Sequence, residues 1–219
     1  MVIQIGSTAP NLKVSEWVYG EPTNIDKEKG HVVFLEVFQV NCPGCFLYGI
    51  PAAIDIYRKY HNSGVVVIGL ATAFEDYDKN TLDNLKLLFS SGEVIGETRS
   101  ALRQYGQLIQ GKKLPYNIPF PVAMDSLKKE RNYSQEGVMA FIEANVPDFS
   151  SYDENNKTIM IERVKQYFNT KQYLAETFEE YGLQGTPSAI LIDKKGIVRQ
   201  IMFGANGFHE DMIKHLLEE

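Results

Sequence analysis

Cysteine is almost missing from this chain, with two residues in 219. Both stand in one tetrapeptide, Cys42-Pro43-Gly44-Cys45, and are used nowhere else, which points to chemistry rather than stapling. Clusters of lysine and arginine are also lacking. With a formal charge of −6, the chain is not expected to take nucleic acid as a partner. No apolar run approaches the roughly 18 residues that span a bilayer, so no membrane partner is expected. The opening Met-Val-Ile-Gln-Ile-Gly lacks a basic stretch followed by a continuous apolar one, and a cytoplasmic protein is expected. Internal repeats and low-complexity tracts are absent. Hydrophobic residues at 44% suffice for a substantial core, and the length suits a single domain over 1–219 carrying an insertion.

What is present is ordered around the two cysteines. Val32-Val33-Phe34-Leu35-Glu36-Val37-Phe38 has the composition of a buried parallel strand. From Phe46 to Tyr60, Leu47, Ile50, Ile54 and Tyr57 recur at helical spacing, which puts the cysteines at a helix N-terminus. Free N–H groups and the positive end of the helix dipole favour a thiolate there. Cysteine pKa values at such sites fall to roughly 3.5–7.5. Three residues make nearly one helical turn, so Cys45 can close a disulfide with Cys42. Cys42 is expected to be the exposed nucleophile and Cys45 the recessed resolving residue.

A second apolar run, Val65 to Ala71, completes a βαβ unit. Upstream, Asn11–Val14 and Glu16–Tyr19 read as two short strands of an N-terminal β-hairpin. Near the other end, Ser188–Asp193 and Ile197–Phe203 flank the turn Lys194-Lys195-Gly196 and read as a hairpin, followed by a terminal helix. Between these lie helical stretches at 80–91, 97–109 and 134–145, two more within 157–181, and a short strand at Phe120–Asp125. The segment of about 126–172 reads as a helical insertion on one fold, its apolar content being small for an independent core. Its many aromatic residues, among them Tyr133, Phe141, Phe149 and Phe168, read as local core rather than as a lid or dimer surface.

With Cys42-Pro43-Gly44-Cys45 after a strand and Gly185-Thr186-Pro187-Ser188 before a hairpin, the chain resembles the thioredoxin superfamily. More narrowly it resembles the TlpA-like and AhpC/TSA-type redoxins. Ile5-Gly6-Ser7-Thr8-Ala9-Pro10 matches their opening, Phe120 to Asp125 a strand of their central insertion, and Pro51 the proline that kinks their redox helix. The resemblance spans most of residues 4–216. It implies an α/β class: a thioredoxin-like fold with a central mixed β-sheet flanked by helices. It also implies a cis peptide before Pro187, with the Thr186 backbone pairing with an extended substrate segment beside Pro43 and Gly44. Glu36 stands where thioredoxins carry a buried acid that relays protons to the recessed cysteine. Burial raises a carboxyl pKa and makes such a relay usable. The competing reading of Glu36 is a strand-edge or salt-bridged carboxylate.

Three positions depart from the pattern. Asn41 replaces a tryptophan, Tyr48 replaces a redoxin glutamate, and Gln39 stands where peroxiredoxins place threonine or serine. The resemblance therefore implies a thiol-disulfide oxidoreductase whose partners are a disulfide-containing protein or small molecule and an external thiol reductant. The redox disulfide itself would do the work of a cofactor. A thiol peroxidase with antioxidant activity, using the same cysteines, is the alternative, weakened by Gln39. A zinc site joining Cys42 and Cys45 to His209 and His215 is disfavoured. Six residues turn a helix by about 240° net, so the two histidines face different ways.

Overall fold

The computed structural model describes residues 3–129, 134–204 and 210–219. They form two compact units, one made of Met1–Leu127 with Ala175–Glu219, the other of Lys128–Leu174.

The larger unit is built on a six-stranded sheet. Its strands are β1 (Val14–Tyr19), β2 (Val32–Phe38), β3 (Val65–Ala71), β4 (Val122–Asp125), β7 (Ser188–Ile192) and β8 (Val198–Phe203), arranged β1-β4-β3-β2-β7-β8. The pairs β2/β3 and β3/β4 are parallel, and the other three are antiparallel. The sheet is therefore mixed. Central placement explains β2, in which every residue is buried, as a strand covered on both faces requires. Phe34 and Phe38 join Cys45, Phe46 and Ile50 in the core on one face, while Val33, Leu35 and Val37 pack with Phe178, Ile190 and Val198 on the other.

Helix α1 (Ile50–Tyr60) continues a π-turn at Cys45–Gly49, and α2 (Leu82–Ser91), α3 (Gly96–Gln104), α6 (Glu176–Glu180) and α7 (Glu210–Glu218) complete the unit. Local signals start and stop these helices. The Thr81 hydroxyl accepts from Asn84 N–H at the head of α2, and Gly92 closes that helix in the left-handed region at φ 73°. No described helix is long and apolar enough to cross a membrane.

Three expectations need correction. The N-terminal hairpin does not form: β1 is one strand, and its partner is β4, with Val14 opposite Asp125. Alternation of residues marks a strand but carries no information about a partner so distant in sequence. The helix expected over 97–109 ends at Gln104, where Gly106 at φ 66° breaks it and Ile109 bridges to Lys113 instead. The polar stretch before residue 157 is partly helical. Asp153 accepts from the N–H groups of Asn155 and Asn156 and starts the helix at Glu154.

The smaller unit contains α4 (Gln135–Asn145) and α5 (Glu154–Thr170). It has its own apolar cluster of Val138, Ile142, Phe149, Val164 and Phe168. Phe141 meets Phe168 edge-on, with ring centroids 5.0 Å apart. Tyr133 lies outside the described residues. A two-stranded ribbon of β5 (Leu127–Lys129) and β6 (Tyr173–Ala175) stands where the chain leaves and rejoins the larger unit.

Candidate active site

Cys42 and Cys45 are joined in a disulfide, with Cα atoms 5.4 Å apart. Cys45 is fully buried and Cys42 only partly so. The chain enters helical conformation at Pro43, and Cys45 N–H points at Cys42 Sγ from 3.1 Å. That donor and the helix end are what a thiolate at Cys42 would face.

The helix carrying them is irregular for a reason legible in its sequence. Ile50 N–H bonds Cys45 carbonyl, five residues back, and Pro51 has no N–H to offer the Phe46 carbonyl. The Tyr116 hydroxyl donates to that carbonyl instead, at 3.1 Å. Burial pushes the Tyr116 phenol up from its ordinary pKa, which keeps it a neutral donor.

The peptide bond between Thr186 and Pro187 is cis, and the Thr186 carbonyl oxygen lies 3.6 Å from Cys42 Sγ. A Cβ built on Gly44 would sit 3.6 Å from Pro187 Cδ, so the CPGC turn and the proline loop face one another. The structure thus gathers Cys42, Pro43, Gly44, Cys45, Thr186 and Pro187 at one end of the sheet.

Glu36 lies beneath them. It sits at the centre of β2 between Gly69 of β3 and Ala189 of β7, and it is 2% exposed. Its Oε1 has no hydrogen-bond partner, and burial raises its carboxyl pKa well above the ordinary range. Among the described residues no lysine or arginine pairs with it. A cavity of about 40 Å³ opens beside it, lined by Tyr48, Gly49, Ala52, Pro187 and Met202. The wall is mostly apolar apart from the Glu36 carboxyl, and the space is large enough for a water molecule.

Sequence reasoning missed Gly49. A Cβ there would run into Glu36 Oε1 and come within 2.7 Å of Pro187 Cβ, so only glycine lets the helix approach both. A glycine inside a helical pattern is the signal that could have found it. Tyr48, noted only as a departure, is 56% exposed at the rim of the same cavity. Gln39 and Asn41, the other departures, are buried beside the site. His209 lies outside the described residues, and His215 faces Glu219 at 3.2 Å. Among the described residues no group of three or more His, Cys, Asp or Glu gathers to hold a metal.

No family model and no curated protein matches the chain. Solved structures do. A thiol-disulfide isomerase from Corynebacterium glutamicum is 28% identical over 97% of this chain and 94% of its own, with a TM-score of 0.56. A thioredoxin-like superfamily protein is 24% identical over 97% of both chains, also at 0.56. A thioredoxin-like protein solved in its oxidised form is 13% identical, over 99% of this chain and 98% of its own, at 0.54. The two matches below 25% identity bear on the fold alone, and they agree on it.

Proposed function

We propose that this chain, whose fold is thioredoxin-like, is a thiol-disulfide oxidoreductase of the thioredoxin superfamily that reduces disulfides through Cys42 and Cys45. The observation that carries the reading is the asymmetry of the pair: a partly exposed Cys42 receiving an N–H at the helix head, beside the cis Thr186-Pro187 bond, and a buried Cys45 behind it.

In the reaction, the Cys42 thiolate attacks one sulfur of a substrate disulfide and expels the other as a thiolate, which takes up a proton. Cys45 then loses its proton and attacks Cys42 Sγ, forming the enzyme disulfide and releasing the second substrate thiol. Two electrons pass to the substrate, whose two sulfurs take up the proton released by Cys45 and one from solvent, Cys42 having given up its own when its thiolate formed. An external thiol reductant returns the enzyme to its dithiol. Glu36 is assigned as the acceptor of the Cys45 proton, through water; the adjoining cavity, which Cys45 does not line, supplies the Glu36 end of that path. Its raised proton affinity suits that task better than an exposed carboxylate's. An extended substrate segment is assigned to the Thr186 backbone next to Pro43 and Gly44, binding by strand addition.

The test is reduction of insulin disulfides by the purified protein with a thiol reductant, together with trapping on Cys45→Ser. That variant is expected to accumulate mixed disulfides through Cys42, and Cys42→Ser to accumulate none. Equal trapping by both, or peroxide consumption that outpaces insulin reduction, would sink the reading and favour a peroxidase.

A further inference from the structure

We propose that Gln39 and Asn41, the two amide side chains on either side of Val40, are positioning residues that tie both walls of the disulfide site to a single loop, residues 72–80. The proposal rests on the function given above and says how the gap that receives a substrate strand is set.

Gln39 is 1% exposed and serves the proline wall. The Thr186 hydroxyl donates to its Oε1 at 3.2 Å, and its Nε2 donates to the Glu75 carbonyl at 3.3 Å. One side chain thus links Thr186 to the loop. Asn41, 8% exposed, serves the cysteine wall. Its Nδ2 donates to Asp76 Oδ2 at 2.7 Å, its Oδ1 accepts from Glu97 N–H at 2.8 Å, and its backbone N–H donates to Asn80 Oδ1 at 2.9 Å. Asn80 Nδ2 donates in turn to the Glu75 carbonyl, the acceptor Gln39 Nε2 also uses, so Gln39 directly and Asn41 through Asn80 meet at one loop peptide. Between them the Val40 carbonyl accepts from the Thr98 hydroxyl at 2.8 Å.

The approach to Asn41 is built into the backbone. Gly96 has φ +50°, and a Cβ there would run into Asn41 Oδ1. Buried amides with every polar atom engaged fix a geometry more tightly than apolar packing does, because any shift leaves a donor or acceptor unpaired. Here the fixed residues are the neighbour of the nucleophile and the residue whose backbone lies 3.6 Å from its sulfur. Gln39 therefore governs the seat of an extended substrate, and Asn41 the placing of Cys42.

Steady-state kinetics with two oxidised substrates separate these roles: hydroxyethyl disulfide, which has no strand to pair, and a disulfide-bonded extended peptide. Gln39→Met keeps the side-chain length and removes both hydrogen bonds. It is expected to raise KM for the peptide about three- to tenfold, the range of one lost hydrogen bond, and to leave the small disulfide and the Cys42 thiolate titration unchanged. Asn41→Asp sets two carboxylates against each other. It is expected to lower kcat on both substrates about tenfold and to raise the Cys42 thiolate pKa. The double variant Asn41→Asp with Asp76→Asn restores the bond with donor and acceptor exchanged, and most of kcat with it. A merely structural role would lower thermal stability without splitting KM from kcat. Variants that match the wild type on both substrates, or a Gln39→Met that affects both equally, overturn the assignment alone. A wild type that reduces neither disulfide overturns the function proposed above, and this assignment falls with it.

Discussion

Of the carboxyl groups buried in the larger unit, Asp125 and Glu36 have surroundings opposite in kind. Asp125, at the end of β4, is fully buried and well supplied with donors. Its Oδ1 accepts from Thr177 N–H, and its Oδ2 accepts from the Thr72 hydroxyl and Phe178 N–H, at 2.9 to 3.1 Å. Glu36, equally deep, leaves Oε1 without a partner next to a small cavity. Burial raises both pKa values, but the donors around Asp125 pull its own back down. A carboxylate fully engaged by donors ties elements together, here β3, β4 and α6. One with an unmet oxygen is open to exchange a proton. The difference fits a structural role for the first and supports the proton-accepting role proposed above for the second.

That contrast breaks most visibly at Asp125. Asp125→Ala leaves two backbone donors and a hydroxyl without their acceptor and is expected to destabilise the fold by about 3 kcal/mol or more, read by urea unfolding. Activity per folded molecule should hold. Glu36→Gln reverses the pattern: stability is not lowered, and the resolving step slows about 100-fold, read as a longer-lived mixed disulfide in rapid-quench experiments. Equal stability losses at the two sites would erase the distinction.

The pH dependence of stability sharpens the comparison further. Because burial raises the folded Glu36 pKa, the native state binds more protons than the unfolded chain between the two pKa values. The stabilisation is complete below the unfolded carboxyl pKa of about 4.3 and is lost as pH rises through the folded value. Glu36→Gln is expected to remove a slope of up to about 1.4 kcal/mol per pH unit from that window. Asp125→Asn should remove a smaller one. The mildest expected effect is at Tyr116→Phe, which leaves the Phe46 carbonyl unpaired beside the site. It should cost about 1 kcal/mol in thermal unfolding with little change in either carboxyl's role.

Much of the site was legible because its signals are local. The run Val32 to Phe38 announces a buried strand, Glu36 interrupts it, and the CPGC turn opens a helix. The cis bond before Pro187 came from resemblance, and the chain places it beside Cys42 as that resemblance implies. What stayed hidden depends on distant partners. β1 pairs with a strand more than a hundred residues away, so its local pattern suggested a hairpin. Gln39 and Asn41 stood out only as missing a hydroxyl and a tryptophan, since their partners, Thr186, Glu75, Asp76 and Glu97, come from three other segments. Gly49 is explained only once Glu36 and Pro187 are seen to meet above β2.

The point where the chain leaves and rejoins the larger unit has an engineering consequence. Glu176 N–H donates to the Ser126 carbonyl at 2.9 Å, the Ser126 hydroxyl donates to the Glu176 carboxylate at 2.6 Å, and β5 pairs with β6 just beyond. The two ends are thus clamped together on the larger unit's own side. Doubling the length of a loop with fixed ends costs only about 0.6 kcal/mol. On that ground the ribbon is the place to exchange one module for another, or for a simple turn, at a small cost in chain entropy.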